Sequence, residues 1–497
     1  MGSLKNRKAF AFCDSSGNIE WFDERYAIGK ALAFIDRITC QDGTFPEAII
    51  VDLGNCPEFI YLIIASALTG LPIVALNHRL SESEKMLRLK EIEGISKKAI
   101  YIDATWVSEA TACYKGNVSD IKGITPLTSE VGNVDYLSFQ TVLHGVDPDK
   151  TAVVMFTSGT TGKPKAAALS WENLLTSACE SNESLSCDTC SMWQASLPLY
   201  HVGGLQVVLR SVVAGCPFIL YERFDAFKIL KDASTFGATH VSVVDKMLRE
   251  MLALDRCDQD SYMKQYSCIL LGGSAPNHQT LSIATEHGAR VFASYGMTET
   301  SSQIANMLVN DEFTGGLALI GQTRAKVLDP DENGVGQLAV KSKCVVSSYL
   351  NANISITEDG YFVTGDTARI ENGLLYVAER LDDMFISGGE NVYPSEIENV
   401  LKRVKGVSDC FVFGRPDEKW GRRPVALLET KGDARSTEQR ARESADVLLS
   451  PINRPDILIA VEELPRMGIG KLDRAAAKAL FEDQLSKRDS TSFMEQS

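Results

Sequence analysis

A run of hydroxyls, glycines and lysines follows a short apolar segment of the chain, and these residue types could surround a polyanion. The apolar segment covers residues 152–156, and the run after it is Thr157, Ser158, Gly159, Thr160, Thr161, Gly162, Lys163, Pro164 and Lys165. Glycine tolerates the dihedral angles that turn several backbone N–H groups toward one anion, and the side chains add donors. The spacing is not G-x-x-x-x-G-K-[ST], which excludes a P-loop NTPase. The pattern predicts a strand and a polyphosphate-binding loop, although a solvated turn has a similar composition.

A carboxylate, a hydroxyl and an aromatic ring lie close together in the segment Tyr295, Gly296, Met297, Thr298 and Glu299. The tyrosine offers a flat face for stacking on a purine, and the glycine permits close approach of the backbone. Thr298 supplies a hydroxyl for a phosphate oxygen, and Glu299 supplies a hard oxygen ligand for Mg²⁺. A Tyr-Gly turn alone is common in loops, so this interpretation depends on the other motifs.

Two further charged side chains, Asp366 and Lys471, could bind a ligand or stabilise a developing charge. Asp366 follows residues 361–365, which we predict as a strand that ends at this aspartate, and its carboxylate could hold both hydroxyls of a ribose. Lys471 lies on a glycine turn directly after Gly470. A lysine on such a turn is usually exposed and idle, but a fixed ammonium group can also stabilise charge that develops during a reaction.

One apolar stretch contains His201 and, nine residues later, Arg210. A single histidine after an apolar run is most often a core or boundary residue, but Gly203 and Gly204 leave space beside this ring. Arg210 is the only charged residue in 205–214. It is either a surface arginine whose stem covers apolar atoms or a pocket cation, because an arginine in an apolar wall needs an anion.

The elements that position these residues must form more than one domain, because 497 residues exceed what one hydrophobic core supports. Apolar strands alternate with helical stretches over residues 1 to about 150 and again over residues 151–288, which predicts helices layered on a largely parallel sheet. Residues 118–149 are polar and weakly patterned, so they predict a loop. The polar tail after Lys487 predicts disorder.

Composition and charge exclude several classes of protein. The chain is 44% hydrophobic and 23% charged, and its net charge of −15 argues against a general nucleic-acid binder. Gly70 and Pro72 interrupt the apolar segment 59–76, so neither part is long enough to span a membrane. Twelve scattered cysteines without a signal peptide indicate a reducing cytoplasm. The single pair Cys187-x-x-Cys190 predicts structural or surface thiols rather than zinc ligands. The sequence leaves a homo-oligomer open.

Taken together and in this order, these motifs resemble those of the adenylate-forming superfamily, which holds acyl-CoA synthetases, luciferases and the adenylation domains of peptide synthetases. The G-K-x-x-R that begins at Gly470 extends the resemblance almost to the end of the chain. The resemblance implies an α/β fold. A large N-terminal domain of βα-layered sheets would comprise residues 1–381, and a small mobile C-terminal α+β domain would comprise residues 382–497.

The same resemblance assigns roles to individual residues. It implies that His201 lines or gates the acyl pocket, and it assigns His201, Thr298, Glu299 and Lys471 to catalysis. It implies that Gly273, Ser274 and Ala275 contact the adenine and that Arg380 contacts the ribose or phosphate. It places Asp382 at the hinge, and it places Gly388 and Gly389 at the thioester-forming channel.

The implied reaction consists of two half-reactions at one site. A carboxylate first attacks the α-phosphate of ATP, which gives an acyl-adenylate and pyrophosphate. Mg²⁺ on Glu299 and the ammonium group of Lys471 would screen the charge. The C-terminal domain then turns about Asp382, and the thiol of coenzyme A attacks the acyl-adenylate.

Within the superfamily the likeness is greatest to the 2-succinylbenzoate–CoA ligases of menaquinone synthesis. The segments 241–248, 295–303, 387–394 and 417–421 carry this likeness. Such a substrate has a second carboxylate on an aromatic ring, so its pocket needs a cation or donors at the far end.

The candidate cations for that carboxylate are Arg210 and Lys246, and Gln303 is assigned to the substrate pocket. Residues 347–349, Ser-Ser-Tyr, depart from the more usual Gly-Tyr of the family. Another aryl- or acyl-CoA ligase, or an adenylating enzyme that loads a carrier protein, is the alternative.

Overall fold

The computed structural model describes residues 8–38, 45–109, 137–157, 164–255, 261–273, 278–380, 385–387, 390–392, 394–417, 420–449, 451–467 and 472–494. They belong to two compact units. The first falls within residues 1–273, 283–325 and 340–362, and the second within residues 274–282, 326–339 and 363–497. The predicted boundary between residues 381 and 382 stays a prediction, because residues 381–384 lie outside these ranges.

Strands and helices alternate along most of the chain. The strands are β1 (Lys8–Cys13), β2 (Ile19–Asp23), β3 (Ala48–Val51), β4 (Ile73–Ala75), β5 (Ala99–Ile102), β6 (Thr151–Thr157), β7 (Lys165–Ser170), β8 (Trp193–Ala195), β9 (Phe218–Tyr221), β10 (His240–Val243), β11 (Cys268–Leu271), β12 (Val291–Met297), β13 (Ser302–Leu308), β14 (Ala318–Leu319), β15 (Arg324–Leu328), β16 (Gly336–Lys341), β17 (Ser348–Tyr349), β18 (Phe362–Glu371), β19 (Leu374–Arg380), β20 (Phe385–Ser387), β21 (Glu390–Val392), β22 (Asp409–Asp417), β23 (Gly421–Glu429) and β24 (Ile457–Val461). The helices are α1 (Glu24–Ile38), α2 (Pro57–Thr69), α3 (Glu82–Glu91), α4 (Glu93–Ser96), α5 (Ala104–Glu109), α6 (Phe139–His144), α7 (Trp171–Ser184), α8 (Val202–Ala214), α9 (Ala226–Phe236), α10 (Asp245–Leu254), α11 (His278–Glu286), α12 (Pro394–Leu401), α13 (Ala434–Leu448) and α14 (Arg474–Met494).

Two mixed sheets organise the first unit. Their strand orders are β14-β13-β12-β11-β10-β8-β9-β1-β2 and β17-β7-β6-β4-β3-β5. The inner pairs, such as β10–β11 and β3–β4, are parallel, and the pairs β12–β13 and β6–β7 are antiparallel. Strands buried on both faces read as continuous Val, Ile and Leu runs, which explains the apolar segments of the sequence. The prediction of helices layered on largely parallel sheets is confirmed.

Glycine ends α2 where the sequence predicted an interruption. The backbone of Gly70 has a φ of +73° and donates to the carbonyl of Ser66 at 2.7 Å, which closes α2. A residue with a side chain is strained in this left-handed conformation. Among the described residues, no helix has both the length and the apolar character needed to cross a membrane.

The second unit contains a three-stranded sheet, in the order β22-β23-β24, that is covered on both faces. Alternate residues of β22 point to opposite sides, because side chains along a strand have a period of two. Cys410 and Val412 pack with residues of α12 and α13, whereas Phe411 and Phe413 pack with Ala477 and other residues of α14. Each face therefore has its own apolar core.

Two expectations about irregular segments were wrong. Residues 139–144, within the predicted loop, form α6, which begins after Ser138 and buries Phe139 and Val142. The tail after Lys487 continues α14 as far as Met494. Local polarity predicted a loop in the first segment and disorder in the second, but burial of Phe139 and the hydrogen bond from Arg488 to the Leu458 carbonyl override that preference.

Candidate active site

The predicted phosphate loop connects two antiparallel strands. Thr157 ends β6 and pairs with Lys165, the first residue of β7. The side chain of Asn351 holds the C-terminal end of this connection: its Nδ2 donates to the carbonyl of Pro164 at 2.8 Å, and its Oδ1 accepts from the backbone of Ala166 at 2.8 Å. Asn351 was missed by the sequence analysis, because an isolated asparagine beyond a short strand gives no local signal.

Glu299 lies in a single 3-10 turn, Thr298–Thr300, between β12 and β13, and it is buried. Its Oε1 accepts hydrogen bonds from the hydroxyls of Thr157, at 3.3 Å, and Tyr349, at 2.8 Å. The structure therefore brings two predicted site residues, Thr157 and Glu299, into direct contact. A carboxylate held by two hydroxyl donors has a fixed orientation, which suits a ligand of Mg²⁺.

Tyr349 is a site residue that the sequence analysis did not identify. It lies in β17, which pairs with β7 so that Tyr349 is opposite Ala167. Its hydroxyl reaches Glu299, and Lys165 Nζ lies 5.3 Å from the centre of its ring. The side chain of Tyr349 therefore lies next to both Glu299 and Lys165, the last residue of the predicted phosphate loop. The sequence showed only a serine-rich departure from the family pattern at this place.

Removing the Tyr349 hydroxyl should weaken the hold on Glu299 without removing the ring beside Lys165. We expect Tyr349→Phe to lower kcat/KM for Mg·ATP about tenfold, since a hydrogen bond to a charged group contributes about 1.5–3 kcal/mol and Thr157 compensates in part. Steady-state kinetics against Mg·ATP measure this. Tyr262→Phe, at an exposed tyrosine, is the matched control. Equal kinetics for the two variants would contradict the role of the hydroxyl.

Gly296 lies very close to the backbone of the neighbouring strand β13. Gly296 pairs with Gln303 across the β12–β13 hairpin, and a Cβ at this position would lie 1.8 Å from the carbonyl oxygen of Ser302. Tyr295 and Met297, its neighbours in β12, are half-buried. The hairpin therefore requires glycine at 296, and this requirement is independent of any nucleotide.

Two serines after the acidic turn have an uncommon backbone conformation. The φ angles of Ser301 and Ser302 are +54° and +99°. Non-glycine residues in such regions cost about 1–3 kcal/mol each and persist only where the surroundings impose them. Here Ser177 Oγ donates to the Ser301 carbonyl at 2.9 Å, and Thr300 Oγ1 donates to the Ser302 carbonyl at 2.8 Å. The strained turn directs the Ser302 hydroxyl at Arg210.

Arg210, on α8, is fully buried, so its interpretation as a surface arginine is wrong. Its Nη2 donates to Ser302 Oγ at 3.3 Å, and its guanidinium lies 5.7 Å from the centre of the Trp193 ring. Within the described part of the chain, Nε and Nη1 have no hydrogen-bond partner. Burial lowers the pKa of Arg210 to about 10, so the group still carries its charge at neutral pH.

Buried polar side chains occur on the elements next to Arg210 in the chain and on its hydrogen-bond partners. Asn182 Nδ2 donates to the backbone carbonyl of Arg210 at 2.9 Å, and the buried side chain of Gln303 donates to Ser181 Oγ. The side-chain oxygens of Asn182, Gln206 and Gln303 are buried without a partner among the described residues. Buried polar atoms are normally satisfied, so unsatisfied donors and acceptors together indicate a place for a polar ligand or water.

The other predicted substrate residues lie in different surroundings. His201 precedes α8, is half-buried, and its ring packs on Tyr200 with 4.7 Å between centroids. The expectation that Gly204 leaves space beside this ring was wrong: a Cβ there would lie 2.2 Å from the carbonyl oxygen of Pro198. Lys246 lies in the first turn of α10 with an exposed side chain.

Asp366 is buried, but it does not end its strand. It lies within β18, directly after Gly365, whose φ is +80°, and it pairs with Arg380 next to an irregularity in the β18–β19 register. The backbone N–H of Asp366 donates to Thr364 Oγ1 at 3.1 Å. The strand continues past this change of register as far as Glu371. Gly273 follows β11 with a φ of +90°.

Several predicted site residues fall outside the described residues, and their roles stay predictions. They are Ser158, Gly159, Thr160, Thr161, Gly162, Lys163, Ser274, Ala275, Asp382, Gly388, Gly389 and Lys471.

The cysteine pair does not form part of a larger cluster. Cys187 is buried, with its Sγ 4.0 Å from Cys216 Sγ, whereas Cys190 is exposed. In the described ranges, no three His, Cys, Asp or Glu side chains converge as a group that could hold a metal ion.

The described residues form an α/β unit of two sheets, in which the buried Glu299 contacts the end of β6, and a smaller second unit. The model of the AMP-binding enzyme family matches residues 40–350, and that of the AMP-binding enzyme C-terminal domain matches residues 396–471. The chain belongs to the AMP-binding enzyme family. The predicted superfamily and fold class are confirmed.

Named relatives extend over nearly the whole chain. A 2-succinylbenzoate–CoA ligase of Oceanobacillus iheyensis is 32% identical over 480 residues, which cover 94% of this chain and 95% of that protein. The o-succinylbenzoate CoA synthetase of Bacillus subtilis, in complex with the acyl-adenylate intermediate, is 28% identical with a TM-score of 0.77 and covers 94% of each chain. The same synthetase in complex with ATP and magnesium ion has a TM-score of 0.76 at 28% identity, with 94% of this chain and 96% of that chain covered.

Proposed function

We propose that this protein is an ATP-dependent carboxylate–CoA ligase that works through an acyl-adenylate, and that its carboxylate is 2-succinylbenzoate. Arg210 carries the substrate assignment. A buried cation with a serine hydroxyl as its side-chain partner is costly, by several kcal/mol, unless an anion completes its surroundings. The ring carboxylate of 2-succinylbenzoate supplies such an anion, and the similarity to ligases named for this substrate supports the choice. This activity would place the protein in menaquinone synthesis, in the cytoplasm.

In the first half-reaction the succinyl carboxylate attacks the α-phosphate of ATP, and pyrophosphate leaves. No general base is needed, because a carboxylate is already nucleophilic at neutral pH; positioning and charge stabilisation carry the step. The loop from Thr157 to Lys165 holds the leaving pyrophosphate, and Lys471 bridges the carboxylate and the α-phosphate. Mg²⁺ held by Glu299 would screen the charge of the triphosphate.

Around the nucleotide, Tyr295 stacks on the purine beside Gly273, Thr298 binds the α-phosphate, and Asp366 and Arg380 hold the ribose. At the other end of the site, Arg210 with Ser302 binds the ring carboxylate. Gln303, with an unsatisfied buried oxygen, and His201 line the same pocket. These assignments divide the site into a nucleotide half and an acid half.

In the second half-reaction the thiol of coenzyme A attacks the acyl carbonyl, AMP leaves, and the thiol proton is released. The C-terminal unit turns about Asp382, which withdraws Lys471 and brings Gly388 and Gly389 to the acyl-adenylate.

A panel of carboxylates separates this proposal from its rivals. We expect ATP–pyrophosphate exchange with 2-succinylbenzoate to exceed that with benzoate, coumarate and medium-chain acids, and added coenzyme A to yield the thioester. Preference for another acid would indicate a different aryl- or acyl-CoA ligase. Acyl-adenylate that never becomes a coenzyme A thioester would indicate an enzyme that loads a carrier protein.

The Arg210→Met variant keeps most of the side-chain volume and removes the charge. We expect KM for 2-succinylbenzoate to rise about 10- to 100-fold, since hydrogen bonds to charged groups contribute about 1.5–3 kcal/mol and each 1.4 kcal/mol is about tenfold. KM for ATP should not change. The control substrate is 4-oxo-4-phenylbutanoate, which lacks the ring carboxylate and should not distinguish the variant from the unmodified protein. An unchanged KM for 2-succinylbenzoate would remove Arg210 from the pocket.

A further inference from the structure

The segment that contains Lys471 is tied at its start to the sheet of the second unit by Arg466. Arg466 Nη2 lies 2.5 Å from Asp409 Oδ2, on β22, and 3.1 Å from Glu429 Oε2, on β23. The side chains are mostly buried, with 14% of Arg466 and 9% of Glu429 exposed. Ion pairs that are shielded from solvent keep their geometry better than exposed ion pairs, which contribute little to stability.

The backbone holds both ends of the same segment together. Arg466 pairs with Leu472 in an isolated antiparallel bridge, and the N–H of Asp473 donates to the carbonyl of Pro465 at 2.8 Å. Glu429 Oε2 also accepts from the backbone of Leu464, at 3.0 Å. The chain segments on either side of residues 468–471 are therefore joined to each other, and the preceding segment is bound to β23. A short closed loop has far fewer conformations than a free one.

Charges of alternating sign extend from Arg466 through Asp409 to Lys402 and Glu398. Lys402 Nζ lies 3.0 Å from Asp409 Oδ1 and 3.8 Å from Glu398 Oε2. Burial alone would raise the pKa of Asp409, but Lys402 and Arg466 outweigh burial and lower it below its ordinary value. Burial likewise opposes the charge of Arg466, yet its hydrogen bond with Asp409 raises its pKa. Both shifts favour the charged forms of the two groups, so the ion pair between them persists at neutral pH.

We propose that Arg466 is a positioning residue for adenylation: through Asp409 and Glu429 it fixes the base of the loop that presents the Lys471 ammonium group. Arg466 does not touch the reacting atoms. This role rests on the proposed function, in which Lys471 acts in the first half-reaction only. It follows that loss of the tie affects adenylation and spares the thioester-forming step.

The test compares Arg466→Gln and Arg466→Lys in the full-length protein. Arg466→Gln should lower kcat for ATP–pyrophosphate exchange about 10- to 100-fold, leave KM for ATP within about threefold, and leave thioester formation from supplied acyl-adenylate within about threefold. Arg466→Lys keeps one charged contact and should recover most of the activity. Arg415→Gln is the matched control, because Arg415 pairs with Glu482 at 3.0 Å in the same unit but lies away from the loop base. It should change neither half-reaction.

A double variant separates positioning from general damage. In the Lys471→Ala background, Arg466→Gln should lower the residual exchange no further, because it acts through the lysine. An additive loss, an equal fall in both half-reactions, or no fall in adenylation would each overturn the positioning role. If Lys471→Ala itself leaves adenylation intact, the lysine assignment of the proposed function fails, and the proposal for Arg466 falls with it. If Lys471→Ala lowers adenylation but Arg466→Gln does not, the proposed function stands and the positioning role is wrong.

Discussion

Replacement of Lys471 by alanine is expected to lower the rate of adenylation about 10²–10³-fold, the usual effect of removing one preorganised donor from a developing charge. Thioester formation from supplied acyl-adenylate should persist, because the proposed role of the lysine is confined to the attack of the carboxylate on the α-phosphate. ATP–pyrophosphate exchange reports the first half-reaction. Coenzyme A thioester formed from synthetic 2-succinylbenzoyl-adenylate reports the second.

The two half-reactions provide internal controls for this variant. Lys478→Ala removes an ammonium group from α14, in the same unit, where Nζ lies 5.7 Å from the Phe413 ring. This control should behave as the unmodified protein in both assays. If Lys471→Ala lowers thioester formation as much as adenylation, the assignment of the lysine to the first step alone is wrong.

Glu299→Gln is expected to lower kcat/KM for adenylation by about 10²-fold and to raise the Mg²⁺ concentration needed for half-maximal rate. The amide keeps an oxygen that can accept from Thr157 and Tyr349, so the turn should keep its shape. In the proposed role of Glu299, the change removes a hard anionic ligand and its charge, on which cation binding depends.

Titration of adenylation with Mg²⁺ measures this effect. Glu312→Gln, at an exposed glutamate after β13, is the control and should leave the titration unchanged. A Glu299→Gln variant with a lower rate but an unaltered Mg²⁺ dependence would show that Glu299 acts by shaping the turn rather than by holding the metal.

The parts of the site that depend on local sequence were predictable. The apolar run before Thr157 is β6, and the glycine and hydroxyl run that follows it connects β6 to β7. Gly70 ends α2, as its interruption of an apolar segment indicated. Such signals are local because they follow from the dihedral freedom of glycine and from strand burial.

The partners of these residues could not be read from the sequence. Tyr349 and Asn351 reach the loop only because β17 pairs with β7, and that pairing joins segments far apart in the chain. The burial of Arg210 depends on packing of α8, so an isolated charge in an apolar stretch left two interpretations open. The positive φ of Ser301 accompanies a hydrogen bond from Ser177, which is distant in the chain, and no residue pattern predicts that contact.

The C-terminal helix α14 is another element that the local sequence did not predict. Its sequence is polar enough to predict disorder after Lys487, yet Phe481, one of its apolar residues, is fully buried in the cluster with Phe411 and Phe413. Arg488 Nη1 also donates to the carbonyl of Leu458 at 3.2 Å. A few apolar residues at helical spacing suffice when a sheet face is available to cover them.

The most direct test of the central claim is coenzyme A-dependent formation of AMP by the unmodified protein with two acids that differ by one carboxylate. We predict that kcat/KM for 2-succinylbenzoate exceeds that for 4-oxo-4-phenylbutanoate about 10-fold or more, because only the first acid pairs with Arg210. Equal values for the two acids, or AMP formed only with an acid that lacks the second carboxylate, would contradict the account.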